Sequence, residues 1–257
     1  MDLEVDRRQL STVRLVATPP TPLQPGQARL RIDQFALTSN NITYAVFGDM
    51  MNYWDFFPAN PATDDVVWGR VPVWGFADVV ESTVGDLVEG TRVYGYLPMS
   101  DDLVIEPGRF DERGFSDLAA HRAPMAPTYN RYVFCDRDPG YDADHESHQM
   151  VLWPLFFTSF MIDDVLDDSG VLTGSVVISS ASSKTAIGAA YLLSRREGVH
   201  VVGLTSAGNA EFVRELGCYH QVVTYDSLGE LPNGPVAYVD IAGDSAVTRA
   251  VHEHFQD

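Results

Sequence analysis

The sequence predicts a two-part α/β protein. An N-terminal β domain occupies residues 1–150, and a parallel, doubly wound α/β unit occupies residues 151–257. Three observations carry this division. Short candidate strands broken by Pro and Gly fill the first part. A polar, acidic stretch, "DRDPGYDADHESHQ" (136–149), reads as a linker. Beyond it, strand patterns alternate with helical patterns of about 10–15 residues, the signature of a parallel sheet with crossover helices.

In the first part, "ARLRIDQFAL" (28–37) alternates so that Leu30, Ile32 and Gln34 share one face. Further strands are "VVWGRVPVWGFADVVES" (66–82), "GTRVYGYLP" (90–98) and "DDLVIEP" (101–107). "LQPGQARL" and "LVEGTRVYGYLP" place turn residues directly before strands, which predicts a mainly antiparallel, barrel-like sheet. In the second part, "LWPLFFTSFMIDDVLDDSG" (152–170) reads as a helix ending at Gly170. Then come a strand "SVVISS", a helix at 184–196, a strand "VHVVGLTS" and a helix at 208–217. Strands "QVVTY" and "PVAYVDIAG" and a helix "SAVTRAVHEHF" complete the pattern.

A formal charge of −19 over 257 residues argues against nucleic acid or an anionic membrane as partner, since phosphate contacts need clustered cations. No apolar run reaches the ~20 residues of a membrane span; the longest, 151–162, is closed by Asp163 and Asp164. With no secretory signal at the N-terminus and only two cysteines, the expectation is a cytoplasmic protein with reduced thiols.

The turn "SSASSKT" (179–185) joins the first parallel strand to its helix, where dinucleotide pyrophosphates sit on free backbone N–H groups. Serine stands where glycine is usual. Ser180, Ser182, Ser183 and Thr185 can donate to phosphate oxygens, and Lys184, the only lysine among 17 basic residues, supplies a cation. The competing reading is structural, with Ser182 or Ser183 capping the helix and Lys184 in solvent. A P-loop is disfavoured because Ile178 and Ser183 occupy its glycine positions. The second strand ends in Thr205, Ser206 and Asn209, without the carboxylate that accepts from an NAD ribose, so NADP is preferred to NAD.

The combination of "VWGFADVVES" (73–82), "RVYGYLPMSDDLVIEP" (92–107), "YNRY" (129–132), "PLFFTSFMIDD" (154–164), "SSASSKTAIG" (179–188), "GLTSAGNAEFVRELGCY" (203–219) and "YVDIAG" (238–243) resembles the DUF2855 family. That family is a branch of the medium-chain dehydrogenase/reductase superfamily, whose first domain is GroES-like. The zinc enzymes of the superfamily use a Cys and a His-Glu pair. The comparable places here, "LTSNN" (37–41) and "WGFAD" (74–78), offer neither thiolate nor imidazole. The resemblance therefore implies a zinc-independent, NADPH-dependent reductase with no metal site, acting on a small carbonyl, quinone or activated alkene. The alternative is a catalytically silent nucleotide-binding or protein-interaction member. By the same resemblance Asn40, Asn41 and Tyr44 approach the nicotinamide, Tyr44 as proton donor, and Thr158 packs nearby.

A dinucleotide fold of this type has six strands, whereas four are read here. The unit is expected to be incomplete at its C-terminal end, with 236–240 on an open sheet edge: either the chain is a fragment or naturally short, or a partner chain, as in a homodimer, covers that edge. "DADHESHQ" is read as a solvated connector, and Asp163, Asp164, Asp167 and Asp168 as a solvated helix face.

Overall fold

The computed structural model describes residues 1–61, 65–172 and 174–255, and the chain divides into two compact units, Met1–Val151 and Leu152–Asp257.

The first unit contains strands β1 (Asp2–Asp6), β2 (Gln9–Val16) and β3 (Ala28–Ala36), helix α1 (Ser39–Val46), and strands β4 (Trp68–Gly69), β5 (Pro72–Ser82), β6 (Arg92–Pro98), β7 (Asp102–Ile105), β8 (Pro107–Asp111), β9 (Gly114–Asp117) and β10 (Arg131–Phe134). Seven of the strands form an antiparallel sheet in the order β7-β3-β5-β6-β10-β9-β8, and β2-β1-β4 form a second. The larger sheet curls. Register shifts between Arg29 and Leu30 and between Ile32 and Gln34 mark bulges in β3, and bulges bend a strand and increase its twist. Leu30, Val73, Ala77, Val93, Leu97 and Ile105 fill the concave side, each fully buried. This half-barrel is the GroES-like architecture.

The chain continues through α2 (Glu146–Asp168), β11 (Ser175–Ile178), α3 (Lys184–Leu193), β12 (His200–Thr205), α4 (Ala210–Glu215), β13 (Gln221–Thr224), β14 (Val236–Val239) and α5 (Ser245–His254). The four strands pair in parallel in the order β13-β12-β11-β14, leaving β14 at an edge. Alternation along β11 separates the two faces. Val176 and Ile178 pack with Ala186, Ala189 and Leu193 of α3 and with Ile162 and Leu166 of α2. Val177 lies in the opposite core with Val202, Leu204 and Val251 of α5. Helices on both faces of a parallel sheet make this a Rossmann-type unit.

Helix α2 begins at Glu146, inside the stretch read as a linker. Glu146 is buried, accepting from the Arg92 guanidinium at 2.6 and 2.7 Å, from the Tyr141 hydroxyl at 2.7 Å and from Gln34. The stretch is thus tied to the sheet, not a solvated connector. Asp164, Asp167 and Asp168 of α2 are exposed as expected, whereas Asp163 is buried: Arg196 pairs with Asp163 at 2.7 Å and with Asp167 at 2.8 Å, which offsets the like-charge repulsion of that i, i+4 pair. By length and composition the helical stretch Ala143–Asp168 is apolar enough to cross a membrane. Its Ile162, Leu166 and paired Asp163 instead face the core that covers the sheet, and Trp153, Phe157 and Phe160 are exposed.

Candidate dinucleotide site and phenol cluster

The 179–183 turn lies at the C-terminal end of β11 and leads into α3, the end of a parallel sheet where ligands bind. Ser180 has φ +51°, the left-handed conformation usually given to glycine. Its N–H donates to the Tyr225 hydroxyl at 2.9 Å. Ser183 is the N-cap of α3, its hydroxyl accepting from the Ala186 N–H at 3.3 Å. Ala181 N–H donates to the Leu204 carbonyl at 3.1 Å, fixing the turn to β12. The N–H groups of Ser182, Lys184 and Thr185 have no acceptor among the described residues, and Lys184 has no ion-pair partner among them. Three free donors and one cation thus stand at the positive end of a ten-residue helix, an arrangement suited to an anion.

Glycines missing from the turn have counterparts beside it. A Cβ on Gly203 of β12 would lie 2.8 Å from the Tyr219 ring and 3.0 Å from the Ala181 Cβ, so Gly203 makes room for the turn. A Cβ on Gly188 would lie 2.5 Å from the Ser159 hydroxyl oxygen. Ser159, fully buried, donates to the Thr185 carbonyl at 2.8 Å, locking α2 to the first turn of α3. Asn209 donates to the Ser182 hydroxyl at 3.1 Å, bringing the loop after β12 to the serine turn. Ser206 beside it is exposed, whereas Thr205 is only 1% exposed and its carbonyl accepts from Tyr225 N–H. Thr158 is exposed on α2.

Sequence reasoning passed over Tyr225 and Ser179. Tyr225 directly follows β13, so its signal was position at the ligand-binding end of the sheet. Ser179 donates to Asp240 at 2.9 Å and accepts from the N–H groups of Ile241 and Ala242 at 2.9 and 3.0 Å, clamping β11 to the loop after β14. Burial raises the Asp240 carboxyl, but bonds from Gly243 N–H, Thr248 and Ser179 outweigh it and leave the group below its usual range.

In the first unit, Asn40, Asn41 and Tyr44 lie on α1, whose N-cap is Thr38. Asn41 serves the fold: its Oδ1 accepts from Thr38 N–H at 2.6 Å and its Nδ2 donates to the Pro72 carbonyl at 2.9 Å. Tyr44 is 6% exposed and accepts from Asn40 Nδ2 at 3.0 Å and Trp74 Nε1 at 3.2 Å. Its ring centroid lies 4.8 Å from that of Tyr53 and 5.6 Å from that of Tyr96, and Tyr96 packs on Tyr129 at 4.8 Å. Burial pushes the Tyr44 phenol above its ordinary value, and the Trp74 and Asn40 bonds pull against that shift. Behind the cluster Arg122, 1% exposed, donates to Asp117 at 2.9 Å, Asn130 at 3.0 Å, the Tyr132 hydroxyl at 3.0 Å and the Tyr129 carbonyl at 2.6 Å. Among the described residues no group of three or more His, Cys, Asp or Glu is placed to hold a metal ion. Cys135 and Cys218 are buried, and burial pushes the Cys135 thiol up to about 12.

Half-barrel and parallel sheet together define the medium-chain dehydrogenase/reductase fold, and solved structures bear this out. CurA from Vibrio vulnificus, crystallised with NADPH, is similar with a TM-score of 0.61 and 17% identity, covering 95% of this chain and 63% of CurA. The quinone oxidoreductase from Coxiella burnetii is similar with a TM-score of 0.56 and 14% identity, over 99% of this chain and 72% of that one. The yhdH oxidoreductase from Salmonella enterica, in complex with NADP, gives 0.53 and 16%, over 97% and 69%. The chain thus spans less than two thirds of the length of CurA. No curated protein sequence matches it. The family described as protein of unknown function (DUF2855) matches residues 35–257, and the chain belongs to that family.

Proposed function

We propose that the protein is a zinc-independent, NADPH-dependent reductase acting on a small carbonyl, quinone or activated alkene. One observation carries the reading: the free N–H groups of Ser182, Lys184 and Thr185 lie at the N-terminus of α3, whose first residue is the chain's one lysine, at the ligand-binding end of a parallel sheet. The CurA and yhdH structures hold NADPH and NADP, respectively, in the same fold.

When bound, the dinucleotide supplies hydride. In this reading the serine turn holds the pyrophosphate through backbone donors, and Lys184 and the Ser182 and Ser183 hydroxyls add donors around it. Ser206 and Asn209, with the Tyr225 phenol beside Ser180, receive the 2′-phosphate, and the absence of a carboxylate in 205–209 favours NADPH over NADH. Thr158, exposed on α2, would be available to contact the nicotinamide. Tyr44, oriented by Asn40, gives a proton to the substrate atom opposite hydride arrival. The reading includes a cytoplasmic location, consistent with two free thiols, and a homodimer.

The test is a thermal-shift titration with NADPH followed by NADPH oxidation against a panel of enones, quinones and aldehydes. Stabilisation by NADPH and turnover of at least one panel member are expected. Stabilisation without turnover by any of them moves the protein to the nucleotide-binding, catalytically silent class. Failure of NADPH to stabilise removes the reading.

A further inference from the structure

The direction of one proton in the phenol cluster is fixed by its neighbours. An indole N–H can only donate, so the Tyr44 oxygen must accept from Trp74 Nε1 at 3.2 Å, and it accepts the Asn40 amide at 3.0 Å as well. A phenol has two acceptor sites and one proton. With both sites filled, the Tyr44 O–H is left only as a donor, directed away from both partners.

Neighbouring phenols show the contrast. Tyr94 and Tyr96 pack on the same Trp74 ring, at 5.7 and 5.0 Å between centroids. Both are buried, and neither hydroxyl has a hydrogen-bond partner among the described residues. Burial drives both phenols far above their ordinary value. Tyr44 sits among the same rings, and the Trp74 and Asn40 N–H groups, with a smaller contribution from the neighbouring Tyr96 hydroxyl, oppose its shift. The titratable groups packed on Tyr44 are Tyr53 and Tyr96, and Tyr129 packs on both of those, so no charged side chain is among its ring contacts.

We propose that Trp74 is a positioning residue: its indole N–H, together with the Asn40 amide, makes Tyr44 an obligate proton donor and stabilises the phenolate left when that proton is given up. The identity of the proton's recipient rests on the reductase reading; the hydrogen-bond arrangement does not. In turnover the Tyr44 O–H bond breaks and its proton goes to the substrate atom opposite the one that gains hydride. The phenolate, held by two N–H donors, regains its proton from water.

The experiment is 19F NMR of protein carrying 3-fluorotyrosine, with the Tyr44 signal assigned by its loss in Tyr44→Phe. Trp74→Phe keeps an aromatic ring and removes the N–H. A hydrogen bond to a charged oxygen is strong enough that the Tyr44 titration midpoint should rise by about one pH unit or more in Trp74→Phe. It should rise also in Asn40→Ala, which leaves the Thr38 cap of α1 intact. Midpoints unchanged in both variants overturn the proposal. Should Trp74→Phe not fold, the 15N spectrum decides: the Trp74 indole N–H signal must move upfield and exchange faster in Tyr44→Phe, and an unmoved signal overturns the proposal. If the midpoints rise while no member of the substrate panel is turned over, the hydrogen-bond device stands and the reductase reading alone falls.

Discussion

Replacing Arg122 with Met cuts the ionic support beneath the phenol cluster. Arg122 and Asp117 have side chains 1% and 2% exposed, so neither charge is screened by water. The guanidinium also bonds Asn130 and Tyr132 at 3.0 Å and the Tyr129 carbonyl at 2.6 Å. Met matches the length of the stem but leaves the Asp117 carboxylate without its cation, although its other oxygen still accepts from Glu106 and Ala119 N–H at 3.0 Å. Breaking a buried pair by removing one partner costs about 3–5 kcal/mol. With the Tyr129 carbonyl and the Asn130 amide also losing a partner, the upper half of that range, about 4–5 kcal/mol, is expected. Urea unfolding followed by tryptophan fluorescence reads this, because three of the four tryptophans, Trp54, Trp68 and Trp74, lie in the first unit. Arg122→Met with Asp117→Asn should recover part of the loss, since the stranded charge is gone. A loss below about 1 kcal/mol for Arg122→Met would show that the pair behaves as an exposed one, since surface pairs lose no more than that.

Other perturbations bear on the second unit and on pH. Ser180→Gly relieves a left-handed serine but loosens the unfolded chain, so stability should stay within about 0.5 kcal/mol, whereas β-branched Ser180→Val should lose about 1–3 kcal/mol in the same urea assay. Gly203→Ala forces the Tyr219 ring and Ala181 apart and should cost about 1–3 kcal/mol and weaken NADPH binding in calorimetry. Arg92 holds the Glu146 carboxyl below its ordinary range. A carboxylate lowered on folding stabilises above its unfolded value and loses that contribution as pH falls through the folded one. The difference in urea midpoint between wild type and Glu146→Gln should therefore be largest near neutral pH and narrow below about pH 4. A difference that does not change with pH contradicts the pairing.

Local patterns revealed most of the architecture, and long-range partnerships escaped them. The alternation of β3, the turn-plus-strand signals before β3 and β6, and the strand–helix alternation after α2 were enough for the fold class. The β1–β2 hairpin carries no local signal because its turn, at Arg7 and Arg8, has no Gly or Asn. In β2, moreover, Val13 and Leu15 are 56% and 65% exposed, so its apolar residues mark the wrong face. The start of helix α2 is hidden in the sequence because its first turn is polar; what holds that turn is Arg92, 54 positions away from Glu146. Arg196 stands 33 positions from Asp163 and Trp74 stands 30 from Tyr44, and no local period encodes such pairs. The serine turn gave its position but not its geometry, since a serine at φ +51° has no compositional mark. Asn41 and Thr205 show the converse: their side chains looked available in the sequence, but a helix cap engages one and burial encloses the other.

In the proposed site the serine turn binds the pyrophosphate, and the 205–209 loop beside it favours NADPH over NADH. Calorimetric titration of the full chain with NADPH and NADH side by side, repeated on Lys184→Ala, tests it most directly. Saturable binding is expected, tighter for NADPH, with a loss of about 10-fold or more in NADPH affinity in Lys184→Ala, the size of a charge-assisted bond to phosphate. Equal affinity of wild type and Lys184→Ala for NADPH, or no binding of either nucleotide, would contradict it.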